Sequence, residues 1–83
     1  MNKIEVLKEA LAARKEEIAS YQINIDNYRL AIEKIAKEHT GNSRIDKAMR
    51  EFSSQLQELL SESLVEQRKA EIIHDVIAQQ ITE

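Results

Sequence analysis

The strongest constraint on this chain is an unbroken alternation of three- and four-residue steps between apolar positions near its start. A 3.5-residue period of this length is typical of the a and d positions of a helix that packs against another along a coiled-coil seam. The pattern predicts a first helix over about residues 3–40. Only Arg14 is not apolar among its members, which are Ile4, Leu7, Leu11, Arg14, Ile18, Tyr21, Ile25, Tyr28, Ile32 and Ile35.

The only glycine of the chain, Gly41, follows this pattern and predicts its end. A glycine readily adopts the left-handed conformation of the residue that follows a helix. Asn42 or Ser43 can cap a second helix, and Asp46 stands three residues after Ser43, as in a capping box. We therefore expect one domain over residues 1–83, with a turn at about 41–43 and a second helix over about 43–82.

The heptad pattern of the second helix is weaker, and its weak points favour a hairpin. If facing residue numbers add to 84, Tyr21 faces Ser63 and Arg14 faces Ala70, so large residues meet small ones. Arg14 would also lie one layer from Glu66, and Glu17 would face Lys69. This register predicts an all-α fold, a long antiparallel two-helix hairpin of coiled-coil type. Its second-helix seam is Ile45, Met49, Phe52, Leu56, Leu59, Ser63, Glu66, Ala70, Ile73 and Ile77.

Several apolar residues remain outside this predicted seam. Because two helices share one contact line, these residues predict a further partner. A second copy is the simplest one, since two hairpins form a four-helix bundle. Ile23 and Leu30, on the back of the first helix, are instead predicted to contact another protein. The alternative is that all these residues outside the seam are ordinary exposed apolar residues. The predicted homodimer interface comprises Leu60, Leu64, Val65, Ile72, Val76 and Ile81.

The composition indicates in which cellular compartment the protein is expected. No apolar run approaches the roughly 20 residues that span a bilayer, and the first residues are too charged for a secretory signal. Cysteine is absent, as is common in reducing compartments. We expect no membrane association and a cytoplasmic location. The net charge of −3 argues against a general polyanion binder.

Basic residues nevertheless cluster around the turn. Between Lys34 and Arg50 five basic residues stand against Glu38 and Asp46, a local charge of +3. One interpretation is contact with nucleic-acid phosphates or an acidic protein patch. The other is that these side chains only keep the turn soluble. The five basic residues are Lys34, Lys37, Arg44, Lys47 and Arg50.

The only motif of catalytic type is an E-x-x-H step formed by Glu71 and His74. In helical di-iron bundles, two such steps and two further glutamates point at the metals. Here both positions fall outside the predicted seam, so a metal site is the lesser alternative and no metal or cofactor is expected. His39 is expected to interact with the carbonyl groups at the end of the first helix. No serine has a partnered histidine and a two-helix seam predicts no cleft, so we do not expect an enzyme.

These features predict a non-enzymatic protein–protein interaction module that acts as a helical-hairpin homodimer. Its role would be that of a small adaptor, inhibitor or chaperone-like regulator with a second protein partner. The rival hypothesis is a nucleic-acid-binding regulator that uses the basic turn. In architecture alone, the chain resembles hairpin-dimer bundles of small plasmid-encoded regulators and short helical accessory proteins of phages and secretion systems. No motif supports a specific family.

Overall fold

The computed structural model describes residues 2–82 and consists of two long helices, α1 (Lys3–Lys37) and α2 (Ser43–Thr82). The helices run side by side in opposite directions, because the side chain of Gln67 reaches Ile18 and Gln22 across the pair. The molecule measures 63 × 16 × 14 Å and has a radius of gyration of 18.8 Å. A compact domain of this length would have a radius of gyration of about 12 Å. The predicted hairpin is therefore confirmed as an extended rod.

Side-chain caps define where both helices begin. Asn2 is extended, and its Oδ1 accepts a hydrogen bond from the main-chain N–H of Glu5 at 2.9 Å. At the start of α2, Asn42 Oδ1 accepts from the N–H groups of Arg44 at 3.0 Å and Ile45 at 3.2 Å. Asn42, one of the two predicted candidates, is thus the cap of α2. These bonds satisfy main-chain donors that have no partner within the helix.

The connection between the helices is longer than predicted, because α1 ends at Lys37 rather than near residue 40. Glu38 is extended, with φ −97° and ψ 130°, and its N–H donates to the Ile35 carbonyl at 3.2 Å. Gly41 has the expected left-handed conformation, with φ +76°. It lies within the connection, however, and not directly after the helix cap.

Asp46 explains why the chain leaves the helix early. Its Oδ1 accepts from Thr40 twice, from the hydroxyl at 2.8 Å and from the main-chain N–H at 3.2 Å. The predicted capping box with Ser43 is therefore wrong, because the Asp46 carboxylate bonds to the connection. The Thr40 hydroxyl bond, and then the Thr40 N–H bond, lower the pKa of Asp46, because both favour the charged carboxylate.

The predicted a and d positions of α1 form its side of the seam, the line of side chains through which the helices contact each other. Ile25 is the most buried residue, with 1% of its surface exposed. The remaining members from Leu7 to Ile35 are partly buried, whereas Ile4 is exposed. The sequence pattern therefore identified the contact face of α1 over nearly its whole length.

The seam of α2 differs from the prediction in every second layer. One predicted row lies in the seam: Met49, Leu56, Ser63, Ala70 and Ile77. The other predicted row, here called the Glu66 row, is exposed: Ile45, Phe52, Leu59, Glu66 and Ile73. The positions one residue further along, here called the Gln67 row, take its place: Asp46, Ser53, Leu60, Gln67, His74 and Ile81. Helix α2 is thus rotated about its axis relative to the predicted register.

The amide of Gln67 gives a physical reason for this rotation. Gln67 is only 9% exposed. Its Nε2 donates to the Ile18 carbonyl at 3.3 Å and to Gln22 Oε1 at 2.9 Å. Gln22 Nε2 in turn donates to Asp26 Oδ1 at 2.9 Å. The predicted register would instead place the Glu66 carboxylate between the helices. Burying a charge costs more than burying a neutral amide whose hydrogen bonds are made.

The predicted interhelical charge contacts do not form. Arg14 pairs with Glu17 at 3.1 Å, and Lys69 pairs with Glu66 at 3.0 Å. Both pairs are local, at i,i+3 spacing, and the other Lys and Arg ion pairs found over residues 2–82 are also local, at i,i+3 or i,i+4. Exposed pairs of this type contribute about 0–1 kcal/mol each. Side-chain packing and the Gln67 bonds, rather than ion pairs, therefore join the helices.

Replacing Gln67 by glutamate should destabilise the hairpin. A carboxylate at this position would face two oxygen atoms, and we expect a loss of about 1.5–3 kcal/mol at pH 7. Partial burial raises the pKa of such a carboxyl group, so the loss should shrink as the pH falls and the group is protonated. Urea unfolding followed by circular dichroism measures this. The control is Gln57→Glu, an exposed position on α2, and an equal loss in both variants would contradict the role of Gln67.

The contact between Asp46 and Thr40 should make the stability depend on pH. Because the pKa of Asp46 is lowered in the folded chain, its contribution is present above the unfolded pKa of about 3.9 and is lost as the pH falls through the folded value. Asp46→Asn should therefore lower the urea midpoint at pH 7 and change it less below pH 4. Thr40→Val should lower the urea midpoint too, and the double variant should lower it by less than the sum of the two single effects. A pH-independent effect of Asp46→Asn would contradict this assignment.

Candidate interaction surfaces

A set of apolar side chains lies on the exposed side of α2 along its length. At the 3.5-residue period of a helix that follows a coiled-coil seam, its members fall within a sector of about 100° of the helix circumference. Each is at least two-fifths exposed, and Val65 reaches 54%. We call this surface the α2 strip, and it consists of Ile45, Phe52, Leu59, Val65, Ile72, Ile73 and Val76.

The rotation of α2 explains which predicted interface residues lie on this strip. Val65, Ile72 and Val76 do, and Leu64 is exposed beside it. Leu60 and Ile81 are instead partly buried in the hairpin seam. Ile45, Phe52, Leu59 and Ile73 were assigned to the seam by their heptad positions but lie on the surface. The contrast between charged Glu66 and neutral Gln67 at adjacent positions was the sequence signal for this exchange.

The exposed area of the molecule is large for its mass. The accessible surface is 6319 Å² for a chain of 9.6 kDa. A compact monomer of that mass would expose about 5,100 Å². The difference of about 1,200 Å² exceeds the roughly 800 Å² that each partner buries in a standard protein interface. Within the described residues the buried apolar side chains are only Ile25, Leu56 and Ala70, so the hairpin has little core of its own.

The back of α1 carries two isolated apolar residues. Ile23 is 61% exposed and Leu30 is 62% exposed, the highest values among the large apolar side chains of residues 2–82. They lie seven residues apart and therefore on the same face of the helix. This placement agrees with their predicted position away from the hairpin seam, and their assignment to another protein stays a prediction.

The basic residues near the turn differ in their ion pairing. Lys34 pairs with Glu38 and Lys37 pairs with Glu33, each at 3.3 Å. Across residues 2–82, no ion pair is found for Arg44, Lys47 or Arg50. These three cations lie in the first turns of α2, where the helix dipole disfavours positive charge. Their side chains are exposed and available to an anionic partner.

An open groove lies between the ends of the two helices beside the turn. It encloses about 490 Å³, with Ile32, Ile35, Ala36 and Met49 among its apolar lining and Arg50 among its polar lining. The expectation that a two-helix seam offers no cleft is therefore wrong. His39 and Asp46 also line the groove, but Asp46 is bonded to Thr40. The groove brings together no nucleophile with a bonded base, because the hydroxyls of Ser53 and Ser54 have no histidine partner in the described part of the chain.

The E-x-x-H step does not assemble a metal site in the hairpin. Glu71 pairs with Arg68 at 3.0 Å, and His74 Nδ1 lies 3.1 Å from the carboxylate of Asp75. His74 belongs to the Gln67 row and is partly buried, rather than lying outside the seam as predicted. Among residues 2–82, no group of three or more potential metal-binding side chains is close enough to hold an ion.

Neither described helix has a stretch long and apolar enough to cross a membrane. Comparison with protein-family models, curated proteins and solved structures finds no match to this chain. The surfaces described above therefore carry the functional argument.

Proposed function

We propose that this protein is a non-enzymatic interaction module whose active form is a homodimer of helical hairpins, a four-helix bundle. The α2 strip is the observation that carries the proposal. Burying a large apolar side chain contributes about 1.5–3 kcal/mol, so leaving the whole strip in water is costly for a small protein. A second copy supplies an apolar surface of the same length.

The back of α1 is the second interaction surface in this proposal. Ile23 and Leu30 point away from the seam, so a dimer formed through α2 leaves them free for another protein. Two apolar side chains one heptad apart suit the apolar face of a partner helix. This arrangement fits a small adaptor, inhibitor or chaperone-like regulator, in which α2 builds the dimer and α1 presents the contact.

The solution mass tests the dimer. Light scattering across a dilution series should give about twice 9.6 kDa at high concentration. Ile72→Glu combined with Val76→Glu places two charges in the proposed interface and should weaken dimerisation at least about 100-fold. Circular dichroism should show that the helices persist, because the hairpin seam is unchanged.

The matched control is Ile23→Glu combined with Leu30→Glu, which adds the same charges to the back of α1. This variant should keep the dimer mass but lose binding to any partner that wild-type protein retains in a pull-down. A wild-type mass of 9.6 kDa at every concentration would contradict the dimer. An equal loss of dimer in both variants would contradict the division of roles between α2 and α1.

The three cations without ion pairs favour a second candidate function, nucleic-acid binding at the turn. Arg44, Lys47 and Arg50 could each contact a phosphate, and each contact releases condensed counterions. No aromatic residue lies in the basic stretch between Lys34 and Arg50, so base stacking is not part of this candidate.

Replacing Arg44, Lys47 and Arg50 by glutamine tests this second candidate. If all three contact duplex DNA, the slope of log affinity against log salt concentration should become shallower by about 2.7. Fluorescence anisotropy with labelled duplex measures the change. The control variant replaces Lys3, Lys8 and Lys15, three exposed cations of α1, by glutamine. Binding that is undetectable in wild-type protein, or equally weakened in both variants, would contradict the candidate.

A further inference from the structure

The ends of the hairpin carry opposite charges. At the turn, five basic residues stand against Glu38 and Asp46, which gives +3. At the open end, the described residues 2–12 and 71–82 contain two lysines and four acids, which gives −2. The acids are Glu5, Glu9, Glu71 and Asp75, and the last turn of α2 contains no basic residue. The rod therefore has a charge asymmetry along its 63 Å length.

The α2 strip is also divided along the helix. Ile45, Phe52 and Leu59 occupy the half nearer the turn, and the other four members occupy the half nearer the open end. Between the two halves lies Glu62, which is exposed. If two copies of α2 run antiparallel and facing residue numbers add to 124, the central members of the two halves meet, whereas Ile45 and Ile73 face Gln79 and Glu51. Phe52 then faces Ile72, Leu59 faces Val65, and Ala48 faces Val76.

We infer that two copies of this chain pair antiparallel through the α2 strip, so that the basic turn of each lies beside the acidic open end of the other. This inference rests on the proposed homodimer and specifies its orientation. A parallel pair would bury the same strip but would place +3 beside +3 and −2 beside −2. The antiparallel pair replaces both repulsions by attractions, which are weak but decide between orientations of similar apolar burial.

The total exposed area of the chain agrees with a second copy as the occupant of the strip. The area that the chain exposes beyond a compact monomer, about 1,200 Å², is enough for one side of a standard interface. A twofold axis near Glu62 satisfies both copies at once, because each copy then contributes the same surface. Glu62 lies beside its own counterpart in this arrangement, a repulsive contact at the centre of the interface.

Disulfide trapping distinguishes the two orientations, because the chain has no cysteine of its own. Two single variants, Ala48→Cys and Val76→Cys, are mixed in equal amounts in a glutathione redox buffer. The antiparallel pair brings position 48 of one copy beside position 76 of the other, so a disulfide should link unlike chains. Within one helix these positions are about 42 Å apart, so like chains cannot be linked in that pair. Intact-mass spectrometry identifies each product.

The possible outcomes separate the inference from the proposed dimer. Links between unlike chains, on a protein of dimer mass, support the antiparallel pair. Links between like chains would overturn the orientation and keep the dimer. A dimer mass with no links from either cysteine would overturn the α2 strip as its interface. A monomeric mass without links would overturn the dimer and the inference together. Salt gives an independent readout, since added salt should weaken an antiparallel pair and strengthen a parallel one.

Discussion

The amide of Gln67 sets which side of α2 faces α1, and most other properties of the molecule depend on that orientation. Its two hydrogen bonds to α1 satisfy a polar group that would be costly to bury alone. With Gln67 inside, Leu60 and Ile81 join the seam while Phe52, Leu59 and Ile73 turn outward. A single buried polar side chain thereby fixes both the hairpin contact and the surface that remains for a partner, as buried polar residues do in coiled coils.

The turn is a second region that side-chain hydrogen bonds hold in place. Asn42 caps α2, while Asp46 holds Thr40 through two bonds. This arrangement ends α1 early and leaves Arg44, Lys47 and Arg50 on the outside of the first turns of α2. The ordered connection therefore lies at the same end of the rod as these three cations.

The sequence predicted the parts of the fold that depend on local patterns. The 3.5-residue period of α1 identified its contact face, and Gly41 with Asn42 placed the connection and the cap of α2. The face of α2 was predicted only in part, because apolar residues occupy both the Glu66 row and the Gln67 row. The charge of Glu66 favours the Gln67 row, but the partners of the Gln67 amide, Ile18 and Gln22, lie 49 and 45 positions away and are not part of any local pattern. The α2 strip was harder to predict for the same reason. A rotation of one helix exchanges the residues of the exposed surface for those of the seam.

The two proposed uses of the basic turn are thermodynamically linked. In the antiparallel pair, Lys47 and its neighbours lie near the acidic open end of the second copy, so part of their charge is already neutralised. A polyanion that bound these cations would compete with that contact and weaken dimerisation. By reciprocity, dimerisation would weaken polyanion binding by the same factor. Because the apolar contacts of the α2 strip do not involve these cations, the linkage would change the strength of the dimer without removing its main source of stability.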